Sequence, residues 1–201
     1  MTRPRSPLAA LHAANLLTYG AIGAALAAIA AAQHGRRSIA GAAIAVAAIA
    51  DTFDGRFARR FARTDVDRRL GGELDSLADA IVFGAAPIVV MAMLAPPAGW
   101  IATWSWWIGA VVYVIASLTR LSYFNVAGDD DRFVGLPAPA AGLIWSTALI
   151  WPTSAVVVSV LFVVCAAMMV APVAFARPRG AGLALFALWA VGLVGLHTAR
   201  I

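Results

Sequence analysis

Residues 71–94 read GGELDSLADAIVFGAAPIVVMAML. From Leu74 to Leu94 nearly every side chain is apolar, and the stretch reaches the ~20 residues that a helix needs to cross a ~30 Å hydrocarbon layer. Because the bilayer core offers no water to the backbone, a segment placed there must be helical. The stretch therefore predicts a membrane-spanning helix that carries two carboxylates, Asp75 and Asp79, near its start.

The rest of the chain has the same composition. Of its 201 residues 62% are hydrophobic and only 12% are charged, whereas a soluble domain is about 25% charged. The other apolar stretches are Leu8–Ala32, Ile39–Ala50, Ile101–Ser122, Ala138–Trp151, Ala155–Ala176 and Ala181–Leu196. Ile39–Ala50 reaches spanning length only if its helix continues past Asp51. We therefore expect a single domain over residues 1–201: an all-α, polytopic membrane helical bundle with a six-helix core and a seventh, C-terminal helix.

The basic residues predict the orientation of this bundle. All fifteen are arginine. If the N-terminus is cytoplasmic and every apolar stretch crosses the membrane, twelve arginines face the cytoplasm and three face outside, as the positive-inside rule requires. The three are Arg36, Arg37 and Arg200. The net charge of +5 then belongs to a basic cytoplasmic face beside anionic lipid, and we expect no nucleic-acid partner.

Tryptophans are expected to mark the outer end of the bundle. Four of them stand at the start of one span: Trp100, Trp104, Trp106 and Trp107. Trp145 and Trp151 are expected to lie at the same outer level of the membrane. Such clustering is typical of an aromatic belt at the membrane interface.

Helical spacing gathers the acidic residues on two faces. Residues 51–59 read DTFDGRFAR, and positions i, i+3, i+4 and i+7 of this stretch share one helical face: Asp51, Asp54, Gly55 and Ala58. Residues 71–79 read GGELDSLAD, and positions i, i+4 and i+8 share another: Gly71, Asp75 and Asp79. If the segment Arg60–Leu70 reverses the chain, the two faces oppose each other and four carboxylates converge.

Four converging carboxylates indicate a metal site. A charged carboxylate costs at least ~2.5 kcal/mol at the centre of a membrane helix and marks a functional site by default. Without cations the four groups would repel one another and take up protons. Mg²⁺ bound by carboxylates and substrate phosphates fits this ligand set. Gly55, Ala58 and Gly71 leave space for a bulky group such as a nucleotide. Arg59 and the neighbouring arginines suit a diphosphate. Asp65 and Asp67, in contrast, are expected to form solvated pairs with neighbouring arginines.

The same residues resemble the CDP-alcohol phosphotransferase family. Its signature is D-x2-D-G-x2-A-R, a spacer, and G-x3-D-x3-D. All eight fixed positions occur here in order: Asp51, Asp54, Gly55, Ala58, Arg59, Gly71, Asp75 and Asp79. The one departure is the spacer of eleven residues, about three longer than is usual in the family.

Within the family the chain is most similar to the bacterial phosphatidylserine synthases. The similarity rests on ELDSLAD at 73–79, ANLLT at 14–18, RLSYFN at 120–125 and FVGLPAPAA at 133–141. It implies transfer of a phosphatidyl group from CDP-diacylglycerol to the hydroxyl of L-serine. It also implies a homodimer in the bacterial inner membrane, with the active site on the cytoplasmic side.

The resemblance further implies roles for single residues. The metal ligands would be Asp51, Asp54, Asp75 and Asp79, holding two Mg²⁺ or Mn²⁺ ions, with Asp79 also acting as general base. The CDP portion would contact Gly55, Ala58, Arg59 and Gly71. Arg120 is a candidate for the serine carboxylate, and Asn125 a second acceptor residue.

Two other functions remain open on the sequence. The same chemistry could use glycerol phosphate, inositol phosphate or choline as the acceptor, with arginines such as Arg120 or Arg132 holding an acceptor phosphate. A divalent-cation transporter would also place carboxylates in membrane helices. Transport would require polar residues deeper in the same helix, whereas AIVFGAAPIVV follows Asp79.

Overall fold

The structure is a computed structural model that describes residues 11–127, 132–176 and 180–201. These ranges contain seven helices, and a 3₁₀ turn, Ala13–Asn15, precedes the first. The helices are α1 (Leu16–Gln33), α2 (Arg37–Ala58), α3 (Asp65–Leu94), α4 (Trp100–Ala127), α5 (Ala138–Ala148), α6 (Ala155–Val170) and α7 (Ala181–Thr198). Five of them, α1 to α4 and α7, are long and apolar enough to cross a membrane. The chain is an integral membrane protein, and the predicted all-α bundle of seven helices is confirmed.

Several predicted boundaries shift. α2 continues past Asp51 to Ala58, which gives it the length that the sequence analysis required for crossing the membrane. The segment predicted to reverse the chain, Arg60–Leu70, is partly helical, because α3 already begins at Asp65. A capping box explains this start: the Thr64 side chain accepts from the Asp67 backbone N–H, and the Asp67 carboxylate accepts from the Thr64 backbone N–H. Residues 8–10 of the first apolar stretch lie outside the described ranges.

A short β-ribbon was not predicted. Strands β1 (Arg132–Val134) and β2 (Ala174–Ala176) pair antiparallel. The ribbon continues into Gly135, whose backbone N–H donates to the Val173 carbonyl at 2.9 Å. Gly135 has φ +77°, a conformation that favours glycine. Three-residue strands are too short to show an alternating pattern, so the sequence gives no signal for them.

Small residues let the helices around α2 approach closely. α2 packs against α1, α5 and α7. Its buried face includes Ala40, Ala45, Ala47 and Ala48, each at most 1% exposed. Small side chains at helix contacts are the usual way in which membrane helices pack. α2 therefore lies at the centre of the bundle, and the carboxylates near its C-terminal end have helices around them.

The expected aromatic belt is only partly confirmed. Trp100, Trp104, Trp107 and Trp151 are exposed, but Trp106 and Trp145 are fully buried. Both pack against Phe162 of α6, with ring centroids 5.1 Å and 4.8 Å away. Their assignment to the membrane interface was wrong, because Trp106 of α4 and Trp145 of α5 both point into the bundle and pack on α6.

A π-helical segment, Ala80–Ala85, interrupts α3 directly after Asp79. Its cause is Pro87, which has no N–H to donate to the carbonyl of Phe83, four residues earlier. The Tyr113 hydroxyl of α4 donates to that carbonyl at 2.5 Å, and Trp145 Nε1 donates to the same hydroxyl at 3.0 Å. The buried pair thus satisfies the group that the proline leaves open and fixes α3 next to the carboxylates.

Arginines cap the opposite end of the bundle. Arg37, at the start of α2, donates to the carbonyl of Leu94 at 3.0 Å. Arg200 donates to the carbonyl of Ile150, and its guanidinium lies 5.5 Å from the centre of the Trp151 ring. Arg37 also donates to the Trp151 carbonyl at 3.5 Å, so Arg37 and Arg200 both contact Trp151, a helix length away from the carboxylates at the other end of α2.

Candidate functional site

The predicted convergence of acidic residues is present. The start of α2 contacts the end of α3 through Arg37 and Leu94, and Asp54 meets Asp75 at the other end, so the two helices run antiparallel. Asp51, Asp54 and Asp75 each offer one carboxylate oxygen, and these oxygens lie within 4.8 Å of one another. Asp79 is not part of this set of three but lies against Asp51, as Asp75 lies against Asp54.

These carboxylates fit a divalent cation. Among the described residues, Asp75 Oδ1 and Asp79 Oδ1 are buried and have no hydrogen-bond partner. Ionised carboxylates only accept, so two of them face to face cannot satisfy each other. Buried acceptors without partners are costly. A hard cation bound by oxygen ligands supplies the partner that they lack. The donor set therefore agrees with the metal site expected from the sequence.

Two side chains from other helices hold the cluster in place. The Thr18 hydroxyl of α1 donates to Asp54 Oδ2 at 2.9 Å, and Thr18 is 6% exposed. Arg120 of α4 is buried and interacts electrostatically with Asp79 and Asp51. The Arg120 guanidinium also lies 5.0 Å from the centre of the Phe124 ring. One oxygen of Asp54 is thus committed to Thr18, and Arg120 supplies a positive charge behind the cluster.

Two cavities meet at the carboxylates, and Asp54, Gly55 and Asp75 line both. The larger has a volume of about 590 Å³ and is also lined by Asp51, Asp79, Ser76 and Asn125. The smaller has a volume of about 190 Å³ and is also lined by Asn15, Arg63, Arg68 and Gly71. A ligand that spans both cavities must pass the carboxylates.

The residues expected to contact CDP are distributed over both cavities. Gly55 faces open space, since a Cβ placed there would have nothing within 4 Å. Gly71 and Ala58 line the smaller cavity, and a Cβ on Gly71 would lie 3.2 Å from Asn15 Oδ1. Arg59 is exposed and lines the larger cavity. The predicted set is therefore brought to one site, with Gly55 at the junction.

The two acceptor candidates occupy different positions. Asn125 is exposed and lines the larger cavity, and the Ser76 hydroxyl donates to its Oδ1 at 2.9 Å. Arg120 is 7% exposed and is not among the residues that line this cavity. Of the two acidic residues predicted to pair with arginines, Asp65 forms an exposed ion pair with Arg68, whereas Asp67 bonds to Thr64 in the capping box of α3.

Comparison with known proteins assigns the family. The family model for CDP-alcohol phosphatidyltransferases matches residues 11–177. The chain belongs to the CDP-alcohol phosphatidyltransferase family. A CDP-diacylglycerol–serine O-phosphatidyltransferase of Mycobacterium leprae is 42% identical over 113 residues, which are 51% of this chain and 34% of that protein. Its namesake from Mycobacterium tuberculosis strain H37Rv is 38% identical over 140 residues, 64% of this chain and 46% of that protein.

An archaeal protein is also similar. The archaetidylserine synthase of Methanothermobacter thermautotrophicus is 31% identical over 139 residues, 68% of this chain and 58% of that protein. The chain thus spans between about a third and three fifths of the length of these relatives. The CDP-alcohol phosphatidyltransferase match ends before α7, which begins at Ala181.

Sequence reasoning missed several residues of this CDP-alcohol phosphatidyltransferase site. Asn15 and Thr18 were noted only as part of a similar segment, although their i, i+3 spacing places both on one helical face. Arg63 and Arg68, among the arginines expected to pair with Asp65 and Asp67, also line the smaller cavity. Leu183 and Phe186 line the larger cavity from a helix that carried no motif.

We predict that Thr18→Val weakens metal binding about tenfold. Valine keeps the shape of threonine but removes the hydroxyl that donates to Asp54, and losing such an outer partner typically costs ~10–100-fold in metal affinity. Mn²⁺ affinity measured by electron paramagnetic resonance on the purified protein tests this. Thr18→Ser keeps the hydroxyl and should bind Mn²⁺ nearly as the unchanged protein does. Equal Mn²⁺ affinity in Thr18→Val would contradict a role for this contact.

Proposed function

We propose that this chain transfers the phosphatidyl group of CDP-diacylglycerol to the hydroxyl of L-serine, giving phosphatidylserine and CMP. The observation that carries the proposal is the carboxylate cluster at the junction of two cavities. A diphosphate donor with a nucleotide at one end and a lipid at the other needs such a site. Family membership and the names of the relatives support the choice of donor and acceptor.

Metal ions are part of the proposal. Asp51, Asp54, Asp75 and Asp79 would hold two Mg²⁺ or Mn²⁺ ions, three of these residues offering oxygens within 4.8 Å of one another. When bound, such ions reduce the charge of the diphosphate and stabilise the CMP that leaves. Either metal accepts carboxylate and phosphate oxygens, so the donor set fits both.

The chain's own residues position the two substrates. The smaller cavity, with Asn15, Arg63 and Arg68, suits the cytidine end of the donor. Arg59 would donate hydrogen bonds to the diphosphate. Gly55, which has no side chain, would let the diphosphate approach the backbone of α2. This arrangement leaves the larger cavity for the diacylglycerol end and the acceptor.

Asp79 would act as the general base. A serine hydroxyl is a poor nucleophile at neutral pH, and a carboxylate within hydrogen-bond reach assists by taking its proton. The serine oxygen then bonds to the phosphorus that carries the diacylglycerol, while the bond from that phosphorus to the CMP oxygen breaks. Arg120 is buried behind Asp79 and places a positive charge next to this carboxylate.

Asn125 and Arg120 would receive the serine carboxylate. Because the Ser76 hydroxyl donates to Asn125 Oδ1, the amide nitrogen of Asn125 is left to donate to a ligand. Arg120 is one layer further from the larger cavity, and its Nε has no hydrogen-bond partner among the described residues. The guanidinium contacts Phe124, which lines that cavity.

We predict that Arg120→Lys raises the KM for serine about tenfold or more. Lysine keeps the charge but loses the planar fork that pairs with a carboxylate, and one charged hydrogen bond is worth ~1.5–3 kcal/mol. The KM for CDP-diacylglycerol should change much less. Arg36→Lys, at the far end of the bundle, is the matched control. An unchanged serine KM in Arg120→Lys would remove this residue from the acceptor site.

The proposal also includes the membrane arrangement. The carboxylate end of the bundle would face the cytoplasm of a bacterial inner membrane, because most arginines accompany it while Arg37 and Arg200 lie at the other end. Protease accessibility of the turn between α2 and α3 in inside-out and right-side-out vesicles tests this orientation. A homodimer is expected from the resemblance, and chemical crosslinking in the membrane tests it.

A panel of acceptors tests the proposed function. Purified protein receives CDP-diacylglycerol, Mg²⁺ or Mn²⁺, and one of serine, glycerol phosphate, inositol phosphate or choline, and CMP release is measured. We expect release with serine. Release that depends only on another alcohol would overturn the serine assignment, and no release with any acceptor would overturn the proposed activity.

A further inference from the structure

α3 changes its pitch directly after the last carboxylate. Asp79 and Phe83 stand four residues apart, and such positions drift about 40° around an α-helix, because its turn takes only about 3.6 residues. Between them begins the π-helical segment Ala80–Ala85, in which the Ala86 backbone N–H donates to the carbonyl of Ile81, five residues earlier. This wide turn takes more residues than a regular one. It therefore reduces the drift and keeps Phe83 nearer the face that carries Asp79.

The Phe83 ring is fixed between three helices, one turn away from the carboxylates. Phe83 is fully buried. A Cβ on Gly142 of α5 would lie 2.6 Å from two atoms of this ring and 3.8 Å from the Cβ of Ala48 in α2. Asp51 follows Ala48 by three residues and so lies on the same face of α2. The ring is thus a fixed point from which the direction of Asp79 is set.

Tyr113 of α4 holds the wide turn in its conformation. Its hydroxyl donates to the Phe83 carbonyl at 2.5 Å and accepts from Trp145 Nε1 at 3.0 Å. Tyr113 and Trp145 are both fully buried, so water does not compete for these bonds. Pro87 has no N–H with which the helix could bind this carbonyl itself. The tyrosine hydroxyl therefore replaces a hydrogen bond of the regular helix and ties the wide turn to α4.

We propose that Tyr113 is a positioning residue that, by holding this wide turn, directs Asp75 and Asp79 toward the carboxylates of α2. The inference rests on the metal site of the proposed function and adds to it a residue that touches neither metal nor substrate. One residue spans about 100° of an α-helix, so closing the wide turn to regular pitch would rotate both carboxylates relative to Phe83. Mg²⁺ and Mn²⁺ bind oxygen ligands in octahedral geometry, and such a rotation would spoil it.

Removing the hydroxyl tests the proposal. Tyr113→Phe keeps the ring, and we expect it to weaken Mn²⁺ binding about tenfold, the lower end of the effect of losing an outer partner of a metal site. The KM for serine should stay within about twofold. Ser146→Ala is the matched control, since it removes a buried hydrogen bond to the carbonyl of Gly41, away from the carboxylates. Electron paramagnetic resonance measures Mn²⁺ affinity. Normal affinity in Tyr113→Phe, or an equal loss in Ser146→Ala, would overturn the proposal.

A second substitution separates positioning from mere satisfaction of a buried carbonyl. Pro87→Ala supplies the N–H that proline lacks, so in the double variant Tyr113→Phe/Pro87→Ala the helix can bind the Phe83 carbonyl itself. The thermal unfolding temperature should then partly recover relative to Tyr113→Phe. Mn²⁺ affinity should remain about tenfold weak, because the wide turn closes. Recovery of the affinity together with the unfolding temperature would show that the hydroxyl only satisfies the carbonyl, and would overturn the positioning role.

The Mn²⁺ measurements need no substrate and so separate this inference from the proposed reaction. Affinities as expected, from a protein that releases no CMP with any acceptor, would leave the role of Tyr113 standing while the reaction fails. Absence of Mn²⁺ binding by the unchanged protein would overturn the role of Tyr113 together with the metal site.

Discussion

Replacing Asp75 by Asn is expected to lower kcat at least about 100-fold while the protein still folds. Asp75 contributes an oxygen to the cluster with Asp51 and Asp54, and its Oδ1 lacks a hydrogen-bond partner among the described residues. Asparagine keeps the shape but removes the charge that binds a cation and stabilises charge in the transition state. Asn substitutions at Asp51, Asp54 and Asp79 should have effects of the same order.

Asp65→Asn is the matched control for these substitutions. It removes a carboxylate from the same helix as Asp75, but Asp65 is exposed and paired with Arg68. An exposed ion pair contributes little, so kcat should stay within about twofold. Steady-state CMP release at saturating metal and substrates measures both variants. Equal kcat values for Asp75→Asn and Asp65→Asn would contradict the role of the cluster.

Gly55→Leu is expected to reduce kcat/KM for CDP-diacylglycerol by about 100-fold. Gly55 lines both cavities, and a Cβ there would point into space that is open without the donor. A leucine would occupy that space, and forcing a side chain into a filled site costs up to ~3 kcal/mol. The thermal unfolding temperature should hardly change, because a Cβ at this position has no other heavy atom within 4 Å.

Gly20→Leu provides the comparison for Gly55→Leu. Gly20 is an exposed glycine in α1 that also has nothing within 4 Å of an added Cβ, but it lines neither cavity. The two variants therefore add the same side chain to a helix, and only one should affect the donor. Normal kinetics for Gly55→Leu would remove the α2 face from the donor site.

The carboxylate cluster could be predicted because residues close together in the sequence form it. Spacings of three and four residues fix which side chains share a helical face, and a single reversal of the chain brings the faces together. The exact reversal was less predictable, because the capping box of Thr64 and Asp67 starts α3 inside the segment expected to turn. In this segment the charged residues favour a turn, whereas the capping box favours a helix start, and the helix forms.

Contacts between distant helices could not be predicted from the sequence. Thr18 and Asp54 are separated by 36 positions, and nothing in either segment indicates that they form a hydrogen bond. Trp106 and Trp145 match the composition of an interfacial belt, yet helix rotation buries both. The contribution of α7 to the lining of the larger cavity could not be predicted either, since Leu183 and Phe186 look like any other apolar residues of a membrane helix. Such positions depend on how helices rotate and pack, which a hydrophobic pattern alone does not determine.

The most direct test of the proposed reaction measures both products in one experiment. The purified protein is reconstituted in vesicles with CDP-diacylglycerol, isotope-labelled serine and Mg²⁺ or Mn²⁺, and CMP and labelled phosphatidylserine are quantified together by mass spectrometry. We predict equal amounts of the two products, loss of both in excess EDTA, and recovery when the metal is restored. CMP release without labelled phosphatidylserine, or full formation of both products in EDTA, would contradict metal-dependent phosphatidyl transfer to serine at this site.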